Sequence, residues 1–126
     1  MTPAKLRTIW AWFAAQWKPN LPAPIMQVRP IIWHQGRLVT GLSWCGLWVK
    51  VVPWCGRRIV VHEFAHHLGF YQENTQIGRD FLAAAGRPQF DEKAREMWAN
   101  TVCGMLGLGW RGGNMLAAPA IRPLLR

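Results

Sequence analysis

The pentad His62-Glu63-Phe64-Ala65-His66 has the pattern H-E-x-x-H and lies within a largely apolar run. Residues four apart share one face of a helix, so His62 and His66 can offer two imidazoles to one metal ion. Glu63 lies beside them, where a carboxylate can take a proton from water. The pattern therefore predicts a hydrolytic zinc site. The competing interpretation is a surface helix whose histidines are unconnected.

The element that carries the pentad is predicted to be a helix over residues 57–68, with Gly69 at the position favoured for a C-terminal cap. Little of this helix is polar, because many of its residues are apolar: Ile59, Val60, Val61, Phe64, Ala65 and Leu68. We therefore expect the helix to be buried in the middle of the domain. Imidazoles and a carboxylate in such a position need a charge partner, and a divalent metal ion supplies one.

A third ligand is needed, since hydrolytic zinc sites usually combine three protein ligands with one open position for water. Residues 91–106 form the second long helical candidate, with Asp91 and Glu92 near its N-terminus, as the helix dipole favours. Glu96 and Asn100 are four apart on this helix, so both project from one face. We expect Glu96 to bind the metal and Asn100 to bond the second nitrogen of a histidine.

The two motifs together resemble those of the gluzincin metallopeptidases. The most similar branch is the ImmA/IrrE type, whose second motif has the form E-x-x-A-N-x-F-A-x-x-L. Residues 96–106 read E-M-W-A-N-T-V-C-G-M-L, so Val102 replaces the aromatic residue and Cys103 replaces the alanine. Both replacements are changes in packing residues and leave the polar positions of the motif intact.

The resemblance covers residues 47–106 and implies a zincin-like fold, in which a strand before the pentad helix runs along the substrate cleft. It implies that His62, His66 and Glu96 hold Zn²⁺, that Glu63 is the general base and that Asn100 orients a ligand. The implied activity is hydrolysis of peptide bonds in a protein or peptide substrate.

Other zinc patterns match less well. The metzincin pattern H-E-x-x-H-x-x-G-x-x-H is met at Gly69 but has the neutral Gln72 in place of the third histidine. Peptide deformylases use a cysteine as third ligand, a role open to Cys45, but their glycine-rich and glutamine motif is absent. Three carboxylates stay open as alternative third ligands: Glu73, Asp91 and Glu92.

Three further residues near the pentad have side chains that can take part in catalysis. Tyr71 is the only tyrosine and follows the pentad closely, so it is a candidate donor to a developing oxyanion. His67 is turned by about 100° from His66 around the helix, which favours a packing or surface role. His34 lies in a predicted turn and is expected to be an exposed loop histidine, with an approach to the cleft as the alternative.

The rest of the chain predicts a single α+β domain over residues 1–106. Apolar residues at helical spacing predict an amphipathic helix over residues 1–17 that packs on the core, with a membrane-surface helix as the alternative. Residues 18–24 form a proline-rich connector. Three segments rich in Val, Ile, Leu and Trp predict a short antiparallel or mixed sheet: residues 27–33, 37–43 and 47–52.

Two more segments complete the expected organisation. Residues 72–86 are predicted to be a loop with a short helix over residues 79–85. Residues 107–126 form a tail rich in Gly and Pro. We expect this tail to be poorly structured or to dock on a partner.

The composition favours one folded domain. Hydrophobic residues make up 51% and charged residues 17% of the 126 residues. No apolar stretch reaches the roughly 20 residues that a membrane span needs. The N-terminus is a poor signal peptide, because tryptophans interrupt its apolar segment. Three cysteines cannot all pair, which favours a reducing cytoplasmic location and buried thiols.

The net charge of +9 is unevenly distributed, since residues 1–61 contain eight Lys or Arg and no acid, and all six acids follow. This asymmetry predicts a basic surface for an anionic partner, with scattered solubilising charge as the alternative. Two functions besides peptidase stay open. One is a zincin scaffold in a larger, phage-type assembly, associated with the virion. The other is a basic nucleic-acid-associated protein, with some of the nine tryptophans stacking on bases.

Overall fold

A computed structural model describes all residues from 1 to 126. It confirms the predicted α+β class. The helices are α1 (Pro3–Ala15), α2 (Arg57–Phe70), α3 (Gln76–Ala85), α4 (Glu92–Met105) and α5 (Ala118–Ile121). The strands are β1 (Ile25–Val28), β2 (Trp33–His34), β3 (Arg37–Leu38), β4 (Gly41–Trp44) and β5 (Trp48–Val51). No helix combines the length and the apolar character that crossing a bilayer requires.

The main sheet has three strands and is mixed, which is one of the two predicted arrangements. Its order is β1-β5-β4, and β5 runs parallel to β1 but antiparallel to β4. Residues 45–47 join β4 to β5. Cys45 and Gly46 have φ angles of 47° and 67°, and the Leu47 amide donates a hydrogen bond to the Trp44 carbonyl, as in a type I′ turn. Strands β2 and β3 form a separate hairpin. This order makes β4 an edge strand of the main sheet.

Helix α2 lies in the middle of the domain, as predicted. It packs against α1, α4 and the inner face of the sheet. Val49 and Val51 of β5 and Phe64 and Leu68 of α2 have no exposed surface. The side of α2 that carries His62 and His66 is partly open to solvent, so this helix joins the core to a surface cleft.

The N-terminal helix α1 confirms the predicted amphipathic packing. The Thr2 side chain accepts a hydrogen bond from the Lys5 amide, and Pro3 stands in the first turn, both of which favour a helix start. The apolar stripe is buried in the core: Leu6, Ile9, Trp10 and Phe13. Its burial leaves no apolar face for a membrane surface.

The prediction of a poorly structured C-terminal tail is wrong. Helix α5 and its flanking 3₁₀ turns bury Ala117, Ile121 and Leu124 in the core. The Lys18 amide donates a hydrogen bond to the Leu124 carbonyl, which ties the end of the chain to the connector after α1. These helical pieces are too short to show a periodic apolar pattern, which is why the sequence did not reveal them. The domain therefore extends beyond residue 106.

Three smaller expectations are also corrected. Helix α2 continues past Gly69, which is a packing residue and not a cap. Helix α3 begins at Gln76, earlier than predicted, because the Thr75 hydroxyl caps it. Of the free cysteines only Cys103 is buried, whereas Cys45 is exposed in the β4–β5 turn.

Candidate metal centre

The centre lies where α2 crosses α4. The two helices approach closely at Gly69, where a Cβ atom would lie 2.8 Å from the Trp98 ring. The Trp98 indole donates a hydrogen bond to the Ala65 carbonyl at 3.1 Å, and Asp91 caps the N-terminus of α4 through the Ala94 amide. These contacts fix the height and rotation of α4 against the pentad.

The crossing brings three of the predicted ligands together. The Nε2 atoms of His62 and His66 lie 3.2 Å apart. One oxygen of the Glu96 carboxylate is 2.7 Å from His66 Nε2, and the other is 3.2 Å from His62 Nε2. Two imidazoles from α2 and one carboxylate from α4 therefore converge on a single point, as the sequence predicted.

These separations suit a zinc ion. Bonds of about 2.0–2.1 Å in a tetrahedral arrangement separate neighbouring ligand atoms by about 3.3 Å. Both contacts that involve His62 are 3.2 Å, so the ligands need little movement to accept the ion. The shorter contact between His66 and Glu96 is a direct hydrogen bond, which a metal would replace. The donor set His, His and carboxylate is one that catalytic zinc uses.

Electrostatics also favour a cation at this point. Burial acts to lower the pKa of His62, but the nearby Cys103 thiol and the Glu96 and Glu63 carboxyls outweigh it and raise that pKa to about 10. Hydrogen bonds from both histidines hold the pKa of Glu96 well below its usual range. The cluster thus holds a positive charge on His62 against an ionised Glu96.

Glu63 is buried next to the ligands, and burial raises its pKa, although the two histidines oppose that shift. Gly41 of β4 packs directly on it, since a Cβ at Gly41 would lie 2.9 Å from Glu63 Cγ. The backbone amide of Ser43 also faces this carboxyl and favours its charged form. A strand without a side chain at position 41 therefore sets where the Glu63 carboxyl lies.

The site opens into a cleft with a volume of about 820 Å³. Strand β4 forms one wall and α4 the other. Its lining includes most of the acids in this basic chain: Glu63, Glu73, Glu92 and Glu96. An edge strand beside the cluster of His62, His66 and Glu96 gives the cleft room for an extended chain.

Asn100 is not placed as the sequence predicted. Its side-chain oxygen accepts a hydrogen bond from Arg58 at 3.2 Å, and Arg58 also donates to the Leu108 carbonyl. Asn100 thereby holds the segment after α4 instead of a histidine. The Nδ1 atom of His62 is buried without a hydrogen-bond partner. The Cys103 thiol lies near this ring and raises its pKa, so its sulfur acts as an acceptor, which is a weak role for sulfur.

The structure also separates the other candidates from the ligand cluster. The Tyr71 hydroxyl donates a hydrogen bond to the Gly46 carbonyl at 3.2 Å, in the β4–β5 turn, and Tyr71 does not line the cleft. His67 is fully buried and bonds the Pro22 carbonyl at 2.7 Å, which confirms its packing role. His34 lies in β2 at the cleft rim instead of in a loop.

None of the alternative third ligands joins the two histidines. Glu73 pairs with Arg95, and Asp91 pairs with Arg87 while capping α4. Glu92 lines the cleft outside the cluster. The remaining two are also elsewhere: Gln72 is buried and accepts a hydrogen bond from Thr75, and Cys45 lies in the exposed turn.

Gly41 also belongs to this site, although the two motifs do not include it. A glycine within a strand pattern indicates a bulge or a close approach of another group, so its signal was present at Gly41. The convergence of His62, His66 and Glu96 is supported by geometry, and the resemblance to gluzincins by the two motifs. In comparisons with known proteins, no family model, no curated protein and no solved structure matches this chain.

Proposed function

We propose that this chain is a zinc-dependent metallopeptidase with a zincin-like fold. The observation that carries the proposal is the convergence of His62, His66 and Glu96 from two helices within hydrogen-bond distance. Glu63 lies beside them at the floor of a cleft. Ligands, base and cleft all occur at one point, which is more than a chance pairing of histidines would provide.

Zinc, when bound, supplies a Lewis acid that polarises a carbonyl and makes water more acidic. The residues around it have separate tasks. Glu63 is placed to take a proton from the attacking water and to pass it to the leaving amine. Burial raises the pKa of Glu63, which makes the carboxyl a better acceptor for that proton. Gly41 keeps the carboxyl in position by leaving space above it.

The edge of β4 supports a peptide as the substrate. Leu42 pairs with Lys50 and Thr40 bonds Val52 within the sheet, so the alternate residues Gly41 and Ser43 direct their backbone groups away from β5. An extended peptide can pair with such an edge through main-chain hydrogen bonds. The Ser43 amide already faces the Glu63 carboxyl, so the peptide would pair with the other backbone groups of this edge, and its scissile bond would then lie close to Glu63.

The base is tested by Glu63→Gln, which keeps the shape of the side chain but removes its basicity. We expect zinc content equal to wild type and hydrolysis of a mixed peptide library slower by a hundredfold or more, since general-base catalysis contributes about 10²–10⁴-fold. Full activity in this variant would contradict the assignment of Glu63. Wild-type protein with stoichiometric zinc that cleaves no peptide would instead favour the scaffold alternative.

The metal centre is tested by Glu96→Ala beside the matched control Glu92→Ala. Both glutamates lie on α4 and line the cleft, but only Glu96 contacts the histidines. Zinc content should fall in Glu96→Ala and stay at the wild-type level in Glu92→Ala. Equal zinc content in both variants would contradict the assignment of Glu96 as the third ligand. It would also contradict the gluzincin assignment, which depends on that ligand.

A further inference from the structure

The outer face of the main sheet carries an exposed set of apolar and basic side chains. Val49 and Val51 of β5 point into the core, so the alternate residues Trp48 and Lys50 point outward. The register places Trp44 and Ile25 beside Trp48 in one row across the sheet. No helix or loop covers this row, since Trp44 is 47% exposed and Ile25 is 62% exposed.

The β2–β3 hairpin turns this face into a groove of about 450 Å³. Trp33, which is 65% exposed, lines the groove from the hairpin side. Trp44 and Trp48 line it from the sheet side and stack on each other with an interplanar angle of 14°. We call this feature the tryptophan groove: Trp33, Leu42, Trp44 and Trp48, with the cations Arg29 and Lys50.

The charges in the tryptophan groove are all positive. Arg29 and Lys50 line it, and Lys50 Nζ lies 4.1 Å from the centre of the Trp48 ring. No carboxylate lines the groove, and none occurs in residues 1–61, from which the groove is built. Charge complementarity therefore indicates an anionic ligand. The exposed indole rings favour a ligand that also has flat apolar surfaces, because such surfaces can stack on them.

We propose that the tryptophan groove is a binding site for single-stranded nucleic acid. The bases stack on Trp33 and Trp44, and the phosphates contact Arg29 and Lys50. Aromatic side chains in a basic groove are the general means by which proteins hold single strands without reading their sequence. This site lies on the face of the sheet opposite the helices and adjoins the metal-centre cleft, since Leu42 and Trp44 of β4 line both. None of the residues assigned to the metal or to general-base catalysis lines the groove.

The shape of the surface favours a nucleic acid over an anionic membrane. Residues that enter a bilayer project from a convex surface, whereas Trp33, Trp44 and Trp48 line a concave one. The parallel indoles of Trp44 and Trp48 present a flat surface of the kind that a base can extend. Duplex DNA hides the faces of its bases, so a single strand is the form that fits.

The experiment measures fluorescence anisotropy of a labelled oligothymidylate of about 12 nucleotides with the full-length protein. Trp33→Ala should weaken binding about tenfold, because one lost stacking contact is of that size. Its matched control is Trp110→Ala, since Trp110 is equally exposed, at 65%, but lies outside the groove. The control should bind as tightly as wild type.

A second pair of variants tests the phosphate contacts. Arg29→Gln should lower the slope of log affinity against log salt concentration by about 0.7, the value for one phosphate contact on a single strand. Arg122→Gln, an exposed arginine on the C-terminal turn, should leave the slope unchanged.

Three results would overturn the proposal. One is equal loss of binding in Trp33→Ala and Trp110→Ala. Another is tighter binding to a duplex than to the single strand. The third is binding to vesicles that contain phosphatidylserine, together with no binding to the oligonucleotide, which would identify the groove as a membrane contact.

Discussion

The two faces of α2 carry histidines that are neighbours in sequence and opposite in surroundings. His66 faces the cleft, where its Nε2 contacts His62 and Glu96. His67, the next residue, faces the core, where its ring lies against Trp10 and its Nε2 bonds the Pro22 carbonyl. One helix turn thus presents the same side chain to the cluster of His62, His66 and Glu96 and to a packed interior.

The difference shows that the partner, and not the residue type, determines what a histidine does here. On the cleft face, burial acts to lower the pKa of His62, but the Cys103 thiol and the nearby carboxylates outweigh it and raise that pKa to about 10. On the core face, burial lowers the pKa of His67, and the Pro22 carbonyl opposes the shift without reversing it. The cleft face therefore attracts positive charge, and the core face excludes it.

The largest effect is expected when the variants His66→Ala and His67→Ala are compared. His66→Ala removes a ligand, and since even outer partners of ligands change metal affinity by about 10–100-fold, zinc binding should fall by more than about 100-fold. His67→Ala should keep its zinc but lose about 1–3 kcal/mol of unfolding free energy, because a buried hydrogen bond and ring are removed. Zinc titration and chemical denaturation of both variants measure the two effects. The comparison fails if both variants lose zinc equally.

A smaller effect is expected when the base is displaced without touching a ligand. Gly41→Ala places a Cβ about 2.9 Å from Glu63 Cγ, so the carboxyl must shift. Misplacement of a catalytic group by about 1 Å can cost about 100-fold in rate, and we expect a loss of about 10–100-fold in kcat with unchanged zinc content. Gly56→Ala is the control, because a Cβ there meets nothing within 4 Å. Unchanged kcat in Gly41→Ala would show that Gly41 does not position the base.

The stability of the metal-free protein should depend on pH in opposite directions through His62 on the cleft face of α2 and His67 on its core face. His62 is protonated below about pH 10 in the metal-free protein, so zinc must displace a proton and its affinity should rise about tenfold per pH unit between about pH 6 and pH 8. In the metal-free protein the raised pKa of His62 stabilises the fold fully below its unfolded value of 6.5, and this contribution is lost as pH rises towards 10.

His67 acts in the other direction. Its pKa is lowered by folding, so its contribution is present above the unfolded value and is lost as the pH falls below about 6.5. Denaturation of the metal-free protein at several pH values, with His67→Gln as the comparison, measures this term. Only the wild type should lose this contribution on acidification. Equal pH profiles would mean that His67 is not held neutral by the core.

The sequence predicted the parts of this molecule that depend on local spacing. The pentad at His62 and His66 sets one helix face, and the carboxylate at Glu96 lies on the next long helix, so their convergence followed from two periodic patterns and a family resemblance. The apolar stripe of α1 followed in the same way. Each of these features is encoded within one helix or within one pair of helices.

The predictions that were wrong concern contacts between segments that are distant in the sequence. Asn100 bonds Arg58 and not a histidine, because the segment after α4 folds back over it, and no spacing in α4 encodes that return. Gly69 is of the residue type that favours a helix cap, but in the structure it allows close packing against Trp98. The parallel pairing of β1 with β5 depends on strand order, which composition does not specify.

The smallest expected effect on the site concerns the contact between Gly69 and Trp98, which joins α2 to α4. Gly69→Ala places a Cβ 2.8 Å from the Trp98 ring, and overpacking of this kind costs about 1–3 kcal/mol of unfolding free energy. Since α4 carries Glu96, its displacement should also weaken zinc binding by a few-fold. The double variant with Trp98→Phe should recover part of the loss, because the smaller ring leaves space for the methyl group. A double-mutant cycle without coupling between positions 69 and 98 would show that this contact does not set the distance between the ligand-bearing helices.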